Sequence, residues 1–172
     1  NRTMGALGGI VASRIARAFR IGGPSFTISS EETSGLSALG VALAALRNGE
    51  IDTAIVGAVD LAGDYRAVLG QDQRRPYSKH LASHPFTATS DGSLISEGAV
   101  AIVLRRQDQV NHDARKPYAT IHGYGNATGD GAEEGPPSQL AASTALNEAL
   151  RESGFKADSI NIIEALGSGN PG

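Results

Sequence analysis

An alternation of helix and strand patterns in the first sixty residues constrains the fold more than any other feature of the sequence. Apolar residues recur at helical spacing in residues 5–19 and again in residues 36–46. A short stretch rich in strand-favouring residues, 25–29, lies between these helices. The apolar run 53–59 follows the second helix after the stop signal Asn48-Gly49. The order helix, strand, helix, strand is typical of layered α/β proteins.

The connections between these segments are short, so the two strands are expected to lie side by side in one sheet. A strand–helix–strand unit of this kind places its strands parallel, with a right-handed crossover. Residues 53–59 are apolar at nearly every position, which indicates a strand buried on both faces. The 22 glycines favour close packing of the layers. We predict an α/β fold with a mostly parallel buried sheet and helices packed on it.

The rest of the chain continues this alternation less regularly. Residues 61–98 are predicted to be mostly loop with a short helix, and a loop of that length usually serves function or an interface. Residues 100–104 and 118–124 have strand patterns and are expected to pair as a hairpin. Residues 138–153 are predicted to form a helix, and 160–166 to form a last buried strand.

The charge balance and the absence of cysteine exclude several classes of function. The 172 residues carry 15 basic and 18 acidic side chains, a net charge of -3, which provides no basic patch for nucleic acid or an anionic membrane. Without Cys, the chain has no disulfide, thiolate metal site or cysteine nucleophile. No apolar run reaches the ~20 residues of a membrane helix, and no secretory signal opens the chain. We expect a cytoplasmic protein without nucleic-acid or membrane partners.

Two further patterns match known binding motifs in their spacing. The glycines of residues 167–172 have the GxGxxG spacing of dinucleotide-binding domains, but a proline lies inside the pattern, so a glycine turn is the preferred interpretation. His80 and His84 are spaced like metal ligands on one helix face, but Pro85 indicates a loop, so a surface role is preferred. His122 lies in a predicted strand and is expected to be partly buried.

The turn before the second helix carries the densest group of polar residues. Ser30, Thr33 or Ser34 is suited to cap the helix, and Glu31 and Glu32 are favourable near its N-terminal dipole. A helix N-terminus just after a buried strand is also where an acyltransferase places its nucleophile and oxyanion hole. From the residues alone, a capped helix is the preferred interpretation, and an acyl-transfer corner is the alternative.

Four segments together resemble the β-ketoacyl synthase family, whose fold is thiolase-like. Gly-Pro-Ser-Phe-Thr-Ile at 23–28 resembles the strand that leads to the family's nucleophile, and 36–59 resembles its next helix and strand. The Pro-Phe, Asp-Gly and Ser-Glu-Gly-Ala motifs within 85–99 resemble its Pro-Phe…Asp-Gly-Phe…Gly-Glu-Gly-Ala run. Residues 164–172 resemble its Glu-Ala-His-Gly-Thr-Gly-Thr-Pro stretch. The resemblance implies that residues 1–172 are the middle of one ketosynthase-like domain, truncated at both ends.

The departures from the family pattern fall on its catalytic positions. Ungapped alignment across the corner puts Glu32 at the position of the nucleophilic cysteine, and Leu166 at the position of the first catalytic histidine. Leucine neither donates a hydrogen bond nor transfers a proton. No residue of this chain is therefore assigned as catalytic. The other residues of the pocket corner are Ser30, Glu31, Thr33 and Ser34.

Paired losses of this kind resemble the chain-length factor, a non-condensing partner that dimerises with an active ketosynthase and shapes the acyl tunnel. The corner and residues 1–10 look most like such domains of bacterial polyunsaturated fatty acid synthases. The resemblance implies no cofactor, acyl chains carried on the phosphopantetheine of an acyl carrier protein, and residues 26–29 near the two-fold interface. An active acyltransferase or malonyl-thioester decarboxylase that uses Glu32, and a dinucleotide-binding α/β domain, are the alternatives.

Overall fold

The computed structural model describes residues 7–61, 63–80, 85–110, 116–129, 138–167 and 169. The chain divides into two compact units, one of Asn1–Asp60 with Gly98–Pro117 and one of Leu61–Glu97 with Tyr118–Gly172. The elements in chain order are α1 (Ile10–Phe19), α2 (Ser34–Arg47), β1 (Thr53–Asp60), α3 (Tyr65–Arg74), β2 (Gly98–Arg105), α4 (Gln107–Val110) and α5 (Gln139–Ser153). Two short 3-10 turns, Glu31–Thr33 and Ala157–Ser159, precede α2 and follow α5.

The first helix ends where its sequence pattern ends, at Phe19. Arg20 adopts a left-handed conformation with φ 55°, and its N–H bonds back to the carbonyls of Ala16 and Arg17. The helix begins at Ile10, after a turn at Gly8 and Gly9, which is later than the predicted start at residue 5. Glycine is a poor helix former, so the turn before Ile10 is consistent with local propensity.

The second helix confirms the predicted helix and its stop signal. It ends at Arg47; Asn48 donates its N–H to the carbonyl of Ala44, and Gly49 takes φ 72°. Leu43 and Leu46 are buried where α2 packs on β1. The close approach depends on Gly35, because a Cβ there would lie 2.9 Å from the Cβ of Ala58 on β1.

The sheet of the first unit differs from the predicted parallel pair. β1 pairs with β2 in antiparallel register, from Thr53 opposite Arg105 to Asp60 opposite Gly98. Residues 25–29, predicted to be the parallel neighbour of β1, form no ladder with any described residue, and Thr27 Oγ1 instead donates to the carbonyl of Gly8 at 3.0 Å. A strand pattern specifies an extended, half-buried segment but not its partner or direction. The predicted parallel pairing is therefore wrong for the described residues.

Burial along β1 also differs from the prediction. Ala54 and Val56 are buried under α2, whereas Ile55 and Val59 on the opposite face are exposed. Successive side chains of a strand point to opposite faces, so a single helix covers only one of them. Within the described residues, β1 is thus covered on one face and not on both.

In the second unit, α3 is the short helix predicted within residues 61–98. Asp64 caps it by accepting hydrogen bonds from the backbone N–H groups of Arg66 and Ala67 at 2.8 and 3.1 Å. It stops at Arg75, which is extended at φ -141° and ψ 101°. Arg75 precedes Pro76, and a residue before proline is disfavoured in the helical region. The polar loop that follows forms an isolated bridge between Tyr77 and Ser93.

The last helix confirms the predicted helix over residues 138–153. The Ser138 hydroxyl accepts from the N–H of Ala141 at 3.3 Å, and Gly154 ends the helix at φ 70°. These are the cap and stop that a serine and a glycine at helix ends provide. No helix within the described ranges combines the length and apolar character that spanning a bilayer requires.

The two strands predicted around α5 are not strands. Residues 118–124 pair with no described strand; instead the segment lies against α5, where Tyr124 N–H donates to Glu152 Oε2 at 2.9 Å and Asn126 N–H to Glu148 Oε2 at 3.1 Å. These carboxylates satisfy backbone donors that a ladder would otherwise use. Residues 160–166 also form no ladder with described residues. Both the predicted hairpin and the predicted last buried strand are corrected.

Candidate functional site

The corner before α2 is a tight, unusual turn. Ser30 has φ -147°, Glu31 enters the left-handed region at φ 47°, and the 3-10 turn Glu31–Thr33 leads directly into the helix at Ser34. A left-handed conformation costs a residue other than glycine roughly 1–2 kcal/mol. Such conformations persist where the surrounding structure holds them, and they cluster at functional sites.

A network of hydroxyl groups holds this turn. Ser34 Oγ donates to the carbonyl of Glu31 at 2.6 Å and accepts from the N–H of Ser30 at 2.9 Å. Thr33 Oγ1 donates to the carbonyl of Ser30 at 2.8 Å. Because that bond uses the only hydroxyl proton of Thr33, the Ser30 hydroxyl is the donor in the 2.9 Å contact between the two side chains.

The hydroxyl network corrects the predicted cap. Thr33 occupies the N-cap position of α2, but its side chain accepts no hydrogen bond from the described N–H groups of the helix. Ser30 and Ser34 are likewise engaged with the turn and with each other. The three hydroxyls therefore stabilise the shape of the corner rather than the first turn of the helix.

The two acidic residues of the corner have exposed side chains. Glu31 and Glu32 lie in the 3-10 turn immediately ahead of α2, where carboxylates interact favourably with the positive end of the helix dipole. The structure places the five predicted corner residues, Ser30 to Ser34, in this 3-10 turn and at the start of α2. A carboxylate at this point is a weak nucleophile, and an acyl group attached to it would be a mixed anhydride rather than a thioester.

Leu166 belongs to the second unit, and the residue is almost fully solvent-accessible, at 96%. The next residue, Gly167, lies tightly against the loop that contains Pro85 and Phe86. A Cβ on Gly167 would collide with Pro85 and lie 3.0 Å from the Phe86 ring. Two residues further on, the buried Gly169 takes φ 71°, and its carbonyl accepts a hydrogen bond from Ser90 Oγ.

The Asp-Gly motif of the same loop forms a polar cluster that the sequence did not indicate. Asp91 Oδ2 lies 2.8 Å from Nδ1 of His80 and accepts from the N–H of Lys79 at 3.2 Å. Hydrogen bonds from the Ser78 side chain and then from His80 lower the pKa of Asp91 to about 2. The adjacent Gly92 is buried at φ 147°, where a Cβ would lie 2.6 Å from the N atom of Ser78.

This cluster gives His80 a role that the predicted spacing did not anticipate. The partner of His80 is Asp91, eleven residues away, whereas His84 lies outside the described residues. Among the residues that the structure describes, no three His, Asp or Glu side chains converge as a metal site. The Asp-Gly dipeptide is the sequence signal that could have pointed to Asp91, because glycine permits the positive φ of residue 92 at which the two segments meet.

The remaining candidates are only partly described. His122 is exposed rather than partly buried, and its ring is tilted at 44° to that of Phe155 with 4.8 Å between ring centroids. Of the GxGxxG pattern, the structure describes Gly167 and Gly169, and the rest lies outside the described residues. The helix that a dinucleotide site requires after this pattern would also fall there.

Comparison with known families decides the assignment. Residues 1–110, well over half of the chain, match the family described as Beta-ketoacyl synthase, N-terminal domain. The chain belongs to the β-ketoacyl synthase family. This confirms the family that the sequence motifs resemble.

Relatives of this β-ketoacyl synthase family chain are large synthases. The chain is 30% identical over 163 residues to a mycocerosic acid synthase-like polyketide synthase of Mycolicibacterium smegmatis, covering 94% of this chain and 8% of that protein. It is 33% identical over 159 residues to the hybrid PKS-NRPS synthetase TAS1 of Pyricularia oryzae, covering 87% of this chain and 9% of that protein. The chain thus spans less than a tenth of the length of these relatives.

Solved ketosynthases show the same fold. The chain superposes with a TM-score of 0.89 and 28% identity on the ketosynthase from module 6 of the bacillaene synthase from Bacillus subtilis 168, covering 96% of this chain and 30% of that one. A ketosynthase domain of the oxazolomycin system of Streptomyces albus JA3453 gives 0.88 and 26%, covering 95% and 30%. The predicted α/β, thiolase-like fold is confirmed at this level.

Proposed function

We propose that this chain is part of a ketosynthase-like domain that does not itself condense acyl groups, of the chain-length-factor type. The observation that carries the proposal is the pair of side chains at the family's catalytic positions. Glu32 stands in the turn ahead of α2 where alignment places the nucleophilic cysteine, and Leu166 stands where it places the first histidine. Both departures remove chemistry that condensation needs.

The first departure removes acyl storage. A ketosynthase holds its acyl chain as a thioester on a cysteine, a bond that is stable in water and still open to attack by a carbanion. A carboxylate in the same place yields a mixed anhydride, which water hydrolyses readily. The exposed position of Glu32 in the turn supports this step, since water reaches the carboxylate. The acyl group therefore does not remain on this domain long enough to be elongated.

The second departure removes proton handling and oxyanion stabilisation. A histidine at a condensing site donates a hydrogen bond to the oxygen on which charge develops. Leucine has no polar atom in its side chain, and the exposed Leu166 offers only hydrocarbon surface. A single restored cysteine would therefore still lack a histidine at residue 166.

A non-condensing domain of this family acts through the proteins and acyl chains that it binds. We assign to it an active ketosynthase as dimer partner and an acyl carrier protein as the source of acyl chains on phosphopantetheine, with no cofactor of its own and a cytoplasmic location. The apolar Leu166 suits a surface that accommodates a hydrocarbon chain better than one that transfers protons. The synthases that make polyunsaturated fatty acids are the narrower class that the corner sequence favours.

The test restores one of the two lost groups, the thiol, in the full-length protein and measures elongation with a radiolabelled acyl carrier and a malonyl carrier. We expect Glu32→Cys alone to give elongation at least ~100-fold slower than an active ketosynthase, because general acid–base groups contribute at least that much. Glu31→Cys is the matched control, since it places a thiol one residue away in the same turn. Rapid loading and elongation by Glu32→Cys, with Leu166 unchanged, would contradict the proposal.

The same preparation decides the alternatives. An active decarboxylase that uses Glu32 would release CO2 from the malonyl carrier in the unaltered protein, and Glu32→Ala would abolish the release. A dinucleotide-binding domain would instead bind nicotinamide or flavin nucleotides saturably at micromolar concentration. We expect neither CO2 release nor saturable nucleotide binding.

A further inference from the structure

We infer that residues 85–90 form a clamp that sets the position of residue 166, with Ser90 as its positioning residue. The clamp is defined as the loop from Pro85 to Ser90, together with its contacts to Gly167 and Gly169. The inference rests on the proposed function in one respect only, namely that Leu166 occupies the histidine position of the family. The clamp gives a reason why the Pro-Phe motif is present in a chain that lacks the catalytic histidine.

The first contact of the clamp is with the residue directly after Leu166. Pro85 and Phe86 lie so close to Gly167 that a Cβ there would collide with Pro85 and lie 3.0 Å from Cε2 of Phe86. Phe86 adopts φ 65°, a left-handed conformation that is rare for a bulky residue. The backbone at residue 167 is thus packed directly against the turn formed by Pro85 and Phe86.

The second contact is two residues further along. The hydroxyl of the half-buried Ser90 donates to the carbonyl of Gly169, which is buried. Gly169 has φ 71°, a conformation that glycine adopts without steric penalty. The backbone that follows Leu166 is therefore held at two points, one by packing and one by a hydrogen bond.

The clamp has a rigid base. Asp91, next to Ser90, is bonded to the N–H of Lys79 and to His80, and Gly92 is buried against the backbone of Pro76 and Ser78. These contacts tie one end of the loop to the segment that follows α3. A loop anchored in this way transmits its position to the residues that it touches.

The side chain of Leu166 contributes little to its own placement, because it is 96% exposed. Its position therefore depends on the backbone contacts of Gly167 and Gly169. Any side chain at residue 166 would therefore point in the same direction. The clamp positions residue 166 whether or not that residue takes part in catalysis.

The test uses the full-length protein with a nitroxide spin label attached through Leu166→Cys. The chain has no cysteine of its own, so the label reports residue 166 once any thiol elsewhere in the protein has been replaced. We expect Ser90→Ala to shorten the rotational correlation time of the label by about twofold or more, because nanosecond motion increases when a loop contact is lost. Ser90→Thr keeps the hydroxyl, and its spectrum should match that of the labelled protein with Ser90 unchanged.

Ser143→Ala is the matched control, since Ser143 Oγ also donates to a backbone carbonyl, that of Leu140 at 3.0 Å, but within α5. An unchanged spectrum in Ser90→Ala, or an equal change in Ser143→Ala, would overturn the inference. If Ser90→Ala does not fold, Gly167→Ala provides the second variant: its Cβ displaces Pro85 and Phe86, and the label must become more mobile. The spectra are recorded without any condensation reaction. Their outcome therefore does not depend on whether the proposed function is correct.

Discussion

Asp91 Oδ2 lies 2.8 Å from Nδ1 of His80, and the same carboxylate accepts hydrogen bonds from the Ser78 side chain and from the backbone N–H of Lys79. Asp91 and His80 are eleven positions apart, so the contact closes a loop rather than extending an element. Gly92 makes this closure possible, because its buried position at φ 147° has no room for a Cβ. The loop of the second unit that carries the Asp-Gly motif is therefore built on a polar cluster.

Acid should weaken this cluster over a defined range of pH. The pKa of Asp91 is lowered from 3.8 to about 2 in the folded protein. A carboxylate whose pKa is lower in the folded state stabilises that state above the unfolded value, and this stabilisation is lost as the pH falls through the folded value. In denaturant unfolding, the unaltered protein should therefore differ in stability from Asp91→Asn above about pH 5, and this difference should shrink as the pH falls from about 4 to about 2.

An exposed carboxylate elsewhere provides the comparison for that titration. Asp158 lies exposed in the 3-10 turn after α5, and Asp158→Asn is the control for replacing a surface carboxylate by an amide. A stability difference between the unaltered protein and Asp91→Asn that does not change with pH would contradict the prediction, since it would arise from packing and not from ionisation.

Gly125→Ala should destabilise the packing of residues 121–126 on α5. A Cβ at this position would collide with the carbonyl of Ala145 and lie 2.8 Å from the N atom of Ala149, which are backbone atoms of a helix and cannot move separately. Overpacking of this kind costs roughly 1–3 kcal/mol in the free energy of unfolding. Denaturant unfolding of the full-length protein measures the change.

Gly70→Ala is the control, and we expect it to raise the free energy of unfolding where Gly125→Ala lowers it. Gly70 lies inside α3, and no heavy atom lies within 4 Å of the Cβ that alanine would add. Alanine in a helix interior is more stable than glycine by roughly 0.5–1 kcal/mol. Equal destabilisation by the two substitutions would show that close approach is not the cause at Gly125.

Removing the N-cap of α5 should cause a smaller loss in the free energy of unfolding. Ser138→Ala removes the oxygen that accepts the N–H of Ala141, which should cost about 1 kcal/mol of unfolding free energy. Ser138→Asp keeps an acceptor at the cap and should preserve stability. A loss in Ser138→Asp as large as that in Ser138→Ala would contradict the role of the cap.

The left-handed conformation of Glu31 limits the side chains that this position tolerates. Glu31→Val places a β-branched side chain at φ 47°, where such residues are strongly disfavoured, whereas Glu31→Asn places a residue that tolerates this region. We expect Glu31→Val to be less stable than Glu31→Asn by about 1 kcal/mol. Equal stabilities in thermal unfolding would mean that residue 31 does not keep this conformation.

The sequence predicted the family, but it did not predict the hydrogen bonds within the corner. All of the residues from Ser30 to Ser34 lie in one turn as expected, since they are neighbours in the chain. The predicted cap of α2 was wrong because each hydroxyl has several donors and acceptors within hydrogen-bonding reach, and the sequence does not show which of them it bonds. Similarly, His80 was visible as a candidate, but its partner Asp91 was not, because loop closure decides that contact.

The sequence by itself determined several of the helix ends. Asn48-Gly49, Asp64, Arg75 before Pro76, and Ser138 with Gly154 act on groups within a few residues, so the outcome is local. The tertiary structure decided which strand pairs with which: β1 pairs with β2 across nearly forty residues, while 25–29 and 118–124 pair with no described strand. A strand pattern leaves partner and direction open, because its hydrogen bonds are completed only by a distant segment.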